Sequence, residues 1–172
     1  MTQALASRRF FLLASTGGLL AACTTGVNAP AVSTPEQPDR FATDPFRLMT
    51  NDQWRARLSP AAFAVLRQED TERPFTSPLN DEHRAGVFTC AGCQLELFRS
   101  EWKFNSRTGW PSFFDAIAGN VATKVDHRIG YPRTEYHCAR CLGHQGHVFP
   151  DGPAPTGLRY CNNGVALDFV PA

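Results

Sequence analysis

Tyr136-His137-Cys138-Ala139-Arg140-Cys141-Leu142-Gly143-His144-Gln145-Gly146-His147-Val148-Phe149 compresses two β-favouring ends, a Cys-x-x-Cys knuckle and two histidines three apart into fourteen residues. Tyr136–Cys138 and Val148–Phe149 are short and bounded by turn residues, and they read as strands. Outward from them the same short pattern recurs at Val87–Cys90, Leu95–Phe98, Val121–Val125, Arg159–Cys161 and Val165–Phe169. No helix of useful length separates these runs, so the chain from Gly86 onward predicts a mainly β fold of antiparallel sheets. Helices are expected only ahead of it. Ser59-Pro60 is an N-cap followed by proline at the first helical position, with Ala62, Phe63 and Leu66 at helical spacing. Trp54 and Leu58, four apart, predict a shorter helix before that one.

The knuckle Cys138-Ala-Arg-Cys141 has a counterpart in Cys90-Ala-Gly-Cys93. A Cys-x-x-Cys turn places two sulfurs on one side of a tight loop, and two such loops supply the four thiolates of a tetrahedral zinc site. The 44 residues between the pairs exceed the usual zinc-ribbon gap, so the intervening segment must fold out and return. Two disulfides are the competing reading. Disulfides within Cys-x-x-Cys tend to be redox-active and make poor staples, which favours one structural zinc ion.

Cys161 is left without a partner in Leu158-Arg159-Tyr160-Cys161-Asn162-Asn163-Gly164. On a strand, Arg159, Cys161 and Asn163 share one face, and Tyr160 and Asn162 the other. Arg159 would favour thiolate over thiol, lowering the cysteine from its free value of about 8.5, and Asn163 could donate to the sulfur or to a bound oxygen. These polar flanks point to a nucleophile rather than an inert buried cysteine. His144 and His147, with Gly146 between them permitting a tight turn, can converge on one pocket and handle its proton. The other use of the pair, with Cys161, is a second zinc site. That reading lacks the His-x-Glu of a zinc deaminase. In Gly109-Trp110-Pro111-Ser112-Phe113-Phe114, the proline and glycine keep Trp110 on a turn or edge, as a core plug or as one wall of a pocket.

The chain has 172 residues, a formal net charge of +1 and six cysteines. That length suits one domain plus a short appendage, and the charge leaves no Lys/Arg stripe for nucleic acid. Residues 1–22 read as an export signal: Arg8-Arg9 precedes an apolar run, Phe10–Ala22, too short to span a bilayer permanently. The arginine pair resembles a twin-arginine signal, and Leu20-Ala21-Ala22-Cys23 resembles a lipobox in which Cys23 is acylated. Removing that segment takes away Arg8 and Arg9 and no acid, leaving fifteen basic and sixteen acidic residues, a net charge of −1. Residues 23–43, rich in Thr, Pro, Ala and Asn, are expected to be the lipid anchor and a flexible tether, with the folded domain at 44–172. The expected location is the periplasmic side of the envelope.

In order and spacing these motifs resemble the B-type methionine sulfoxide reductases, over most of residues 44–172. The resemblance implies two antiparallel sheets with short helices at the N-terminal side. It implies reduction of the R-epimer of methionine sulfoxide in proteins. Cys161 matches the nucleophile, which becomes a sulfenic acid. His147 and His144 match the pair serving the departing oxygen, and Arg159 and Asn163 match residues that tune the thiolate. Trp110 matches the wall receiving the methyl group, with Phe113 beside it in the substrate-binding set. Cys90, Cys93, Cys138 and Cys141 match a structural zinc tetrad, and no organic cofactor is implied. Three positions depart from the family pattern: Thr108 stands where many members carry a resolving cysteine, Arg107 where glycine is usual, and Gln145 where leucine is common, the last expected to matter little. With Cys23 acylated and four thiols on zinc, no thiol of the chain remains for Cys161, so regeneration is expected from a thioredoxin-like protein or small thiol. The protein is expected to be a monomer.

Overall fold

The computed structural model describes residues 39–172; Cys23 and the export and lipobox motifs lie outside them. The domain opens with three short helices, each started by a capping side chain. These are α1 (Pro45–Leu48, capped by Asp44), α2 (Asn51–Arg57, capped by Thr50 and Gln53 in a capping box) and α3 (Pro60–Gln68, capped by Ser59). Glu69, in the left-handed region at φ 57°, ends α3. Asp39–Thr43, assigned from composition to the tether, are already part of the domain. Arg40 reaches Asn120 and Gly119, and Asp39 pairs with Arg47.

Nine strands follow: β1 (Gly86–Cys90), β2 (Glu96–Arg99), β3 (Lys103–Phe104), β4 (Ser112–Phe113), β5 (Val121–Asp126), β6 (Arg133–Cys138), β7 (His144–Phe149), β8 (Arg159–Asn162) and β9 (Leu167–Pro171). They form two antiparallel sheets, β2-β1-β9 and β3-β4-β8-β7-β6-β5. The fold is thus mainly β with short N-terminal helices. A 3₁₀ turn at Gly164–Ala166 delays β9 relative to the run expected from Val165.

Aromatic side chains lock the sheets together. Phe98 of β2 stacks on Phe113 of β4 at 4.2 Å, and Phe88 of β1 meets the edge of the same ring at 4.9 Å. Tyr136 of β6 and Tyr160 of β8 meet edge to face at 5.2 Å. Such pairs add about 0.5–1.5 kcal/mol each beyond their burial. Phe113 was expected to touch substrate. It is instead fully buried between the sheets, because Ser112 pairs with Cys161 and Phe113 with Tyr160, which turns Phe113 to the Tyr160 side. The helices lay Trp54, Phe63, Val65 and Leu66 on the same core.

Candidate active site and metal centre

The two knuckles are built alike. The residue after the second cysteine is left-handed in each, Gln94 at φ 62° and Leu142 at φ 61°. Its N–H returns to the carbonyl of the first cysteine, at 2.7 Å for Gln94 to Cys90 and 2.9 Å for Leu142 to Cys138. Each loop so closed turns both sulfurs the same way. The four Sγ atoms lie within 4.8 Å of one another, 3.6 Å apart for Cys90 and Cys141 and 3.4 Å for Cys93 and Cys138. Zinc–sulfur bonds of about 2.3 Å put tetrahedral sulfurs roughly 3.8 Å apart, so the buried tetrad fits zinc, and all four cysteines are free thiols.

Guanidinium groups close over the knuckle carbonyls. Arg57 donates to Gly92 O (2.8 Å), Arg67 to Cys141 O (2.9 Å), Arg140 to Cys93 O (3.2 Å) and Arg47 to Ala139 O (2.6 Å). Four thiolates on a divalent ion leave about two negative charges, and these arginines stand close enough to offset them. Gly92 and Gly143 let the helices approach: a Cβ on Gly143 would press on Leu66 at 2.8 Å and Cys141 Sγ at 3.2 Å.

Cys161 opens on a cleft of about 120 Å³, lined among others by Trp110, His147, Arg133 and Asn163. Trp110 is held on its turn by a bond from Nε1 to the carbonyl of Glu72 (3.1 Å) and forms a wall of the cleft. The β8 alternation is as expected: Tyr160 points into the aromatic core while Cys161 faces the cleft. Burial pushes the Cys161 thiol above its ordinary value, against the pull of Arg159 and of the Thr108 hydroxyl. The lowering expected from Arg159 is outweighed. Its guanidinium is also engaged by Asp151 through two bonds of 2.9 and 2.8 Å, and Arg159 in turn lowers the Asp151 carboxyl. Asn163 does not donate to the sulfur. Its amide donates to Gln145 O (2.9 Å) and its Oδ1 accepts from Glu72 N (3.0 Å).

The histidines converge by a different device from the expected turn. Gly146 is inside β7, and the register steps from Tyr136↔Gly146 to His137↔His144, leaving Gln145 as an extra residue in the ladder. This bulge restores His144 and His147 to one side of the strand, with ring centroids 5.5 Å apart. Glycine is required at 146 because a Cβ there would collide with the carbonyl oxygen of Cys161 on the neighbouring strand. His147 Nε2 lies 2.8 Å from Asp126 Oδ2. Burial lowers His147 from its ordinary value, and the Asp126 bond opposes that. His144 is buried, with Nδ1 3.1 Å from Glu135 Oε1, which also lies within 3.9 Å of His137. His144, His147 and Cys161 do not bring their ligand atoms together; among the described residues the cysteine tetrad is the only cluster that does.

Three carboxylates that hold this site were not singled out from sequence. Asp126 accepts from Arg128 N (2.8 Å), Arg133 Nη2 (2.6 Å) and His147, which together hold its carboxyl far below the usual range. Glu135 joins His144 to Lys124, 3.1 Å away. Glu72 accepts from Gly164 N and Val165 N at 2.5 and 3.0 Å, and its main chain binds Asn163 and Trp110. The hairpin offered one signal, Asp126 and Arg133 directly opposed across its ladder.

A family model, the SelR domain, matches residues 58–171. The chain is 52% identical over 130 residues to the peptide methionine sulfoxide reductase MsrB of Bradyrhizobium diazoefficiens, covering 75% of this chain and 94% of that protein. It is 51% identical over 124 residues to the MsrB of Leifsonia xyli subsp. xyli, covering 71% and 89%. It is 52% identical over 123 residues to that of Thiobacillus denitrificans, covering 71% and 93%. The chain belongs to the B-type methionine sulfoxide reductase family. Within that family, the three positions noted in the sequence now have places. Thr108 Oγ1 lies 4.0 Å from Cys161 Sγ. Arg107 adopts φ 61°, a conformation that glycine takes freely. Gln145, expected to matter little, is fully buried and bonded to Cys90.

Proposed function

We propose that this reductase acts on the R-epimer of methionine sulfoxide in proteins of the cell envelope, with Cys161 as nucleophile. The observation that carries this reading is the shared cleft: the Cys161 thiol and the Asp126-paired His147 both open beneath Trp110. Trp110 offers an apolar face to the methyl group on sulfur. The Cys161 sulfur attacks the sulfoxide sulfur. Oxygen passes to Cys161, whose sulfur is oxidised by two electrons to sulfenic acid, while methionine is released reduced by two. Burial keeps Cys161 protonated at rest, so its own proton is the one the oxygen receives, handed across by His147 with His144 beside it. Arg159 supports the developing thiolate, and Asn163 fixes the chain after β8.

Two external thiols complete the cycle. The first displaces water from the sulfenic acid and forms a mixed disulfide; the second releases Cys161 as thiol. The donor is a thioredoxin-like protein or a small thiol, because the remaining described cysteines are gathered in the tetrad. One zinc ion held by Cys90, Cys93, Cys138 and Cys141 would fix the two knuckles, a structural task. The twin-arginine and lipobox motifs support export and acylation at Cys23, with a monomeric domain on the periplasmic side. Globomycin sensitivity and labelled-palmitate incorporation test that part.

The test of the reaction is incubation with the R- and S-epimers and a dithiol. Turnover of the R-epimer alone, lost in Cys161→Ser, is expected. Turnover of the S-epimer, or full activity in Cys161→Ser, overturns the reading.

A further inference from the structure

Gln145 sits where the ladder has its extra residue, and its side chain is completely buried. A buried primary amide must satisfy two donors and an acceptor, and each group left unmet keeps its full desolvation penalty. Its polarity here is fixed by neighbours. Asn162 Nδ2 donates to the main-chain carbonyl of Asn163 at 2.8 Å, a contact only an N–H can make. Asn162 Oδ1 accepts from the hydroxyl of the buried Tyr136 at 2.6 Å. The second hydrogen of Asn162 Nδ2 is thus left to face Gln145 Oε1, 3.4 Å away. That turns Gln145 Nε2 the other way, to Cys90 Sγ at 3.4 Å.

We propose that Gln145 is a positioning residue of the metal centre, an amide donor that holds the Cys90 thiolate on zinc. The proposal rests on the zinc reading of the tetrad. An N–H directed at a metal-bound thiolate draws charge from the sulfur and makes it less basic, so that protons compete less well for it. The guanidinium groups described above bind knuckle carbonyls. Gln145 is the side chain outside the tetrad that donates to one of its sulfurs among the described residues. It does so from β7, the strand that also carries His147. Leucine at this position fills similar volume and donates nothing.

The experiment uses the full chain loaded with zinc, with metal content measured first. Zinc transfer to a chromogenic chelator is then followed for wild type, Gln145→Leu and Gln145→Glu. Loss of a partner to a metal ligand costs about 10–100-fold in affinity, and Gln145→Leu is expected in that range. Gln145→Glu, which sets a carboxylate against the thiolate, is expected to bind more weakly still. Gln145→Met keeps the length of the side chain and carries the expectation of Gln145→Leu if leucine disturbs packing. The same proteins loaded with cobalt report the sulfur directly. Without the donor the thiolate is more electron-rich, so its charge-transfer band moves to longer wavelength, which repacking alone would not produce. Wild type without zinc overturns the zinc reading and this inference together. Wild type with one zinc, beside a Gln145→Leu variant of equal affinity and unchanged cobalt band, overturns this inference alone.

Discussion

The hydroxyl of Thr108 lies 4.0 Å from the sulfur of Cys161. Thr108 is tied by Ser106, 2.8 Å away, to the loop that carries Arg107 and Gly109. A sulfur in place of that oxygen needs a shift of about 2 Å to reach bonding distance. Thr108→Cys is therefore expected to convert the oxidised enzyme into an intramolecular disulfide with Cys161. After one equivalent of sulfoxide, wild type should be trapped by dimedone at Cys161, whereas Thr108→Cys should resist dimedone and lose two titratable thiols. A wild-type enzyme that loses two thiols in the same assay would contradict the external regeneration proposed above.

Asp126 joins Arg133, the Arg128 N–H and His147 in one knot. Removing its charge frees His147 and leaves Arg133 unpaired. Asp126→Asn is expected to lower kcat by at least about tenfold, with a smaller effect on KM. Its carboxyl is depressed below the ordinary value of 3.8. The stability it contributes is complete above that pH and is lost as pH falls below it. Thermal melts should decline between about pH 4 and pH 2 in wild type, and more shallowly in Asp126→Asn.

Burial outweighs Arg159 at Cys161, so the free thiol ionises above its ordinary range. Alkylation of Cys161 by iodoacetamide should rise through the alkaline region and not near neutrality. Arg159→Met removes the opposing charge and leaves Asp151 facing the sulfur, which moves the midpoint further up. A midpoint below about pH 7 in the free enzyme would show that the guanidinium wins.

Gly146 has no room for a Cβ against the carbonyl of Cys161. Gly146→Ala must push β7 from β8 and is expected to cost about 3 kcal/mol by denaturant unfolding. Arg107 and Leu142, both at φ 61°, point in the opposite direction. Arg107→Gly and Leu142→Gly should each gain roughly 0.5–1 kcal/mol. A loss of stability in both would remove the argument from backbone strain.

The tetrad was legible because spacing carries it, two Cys-x-x-Cys knuckles bringing four thiols together. Cys161 was singled out by its polar neighbours, and it lies on the cleft with Trp110 and His147. The general architecture was legible for a similar reason, since short runs without intervening helices leave antiparallel pairing as the outcome. Two-residue ladders such as β3 and β4 carry no periodicity and exist through their partners. The first half of β7 was hidden by Gly146, which reads as a turn and serves as a point of close approach. Phe113 was misplaced because its face depends on the Ser112↔Cys161 register, a tertiary fact. Glu72 lies 91 residues from Asn163, whose amide its backbone binds, and no local pattern marks such a pair.

The extra residue in β7 gives the strand a fixed count. Straightening the ladder with Gln145 kept would send the two imidazoles to opposite faces. Deleting Gln145 would instead straighten it with both on one face and withdraw the amide from Cys90. The repair cleft and the metal knuckle therefore share one residue of slack. The same residue spaces the two histidines and reaches the knuckle, and in that respect they form a single mechanical part.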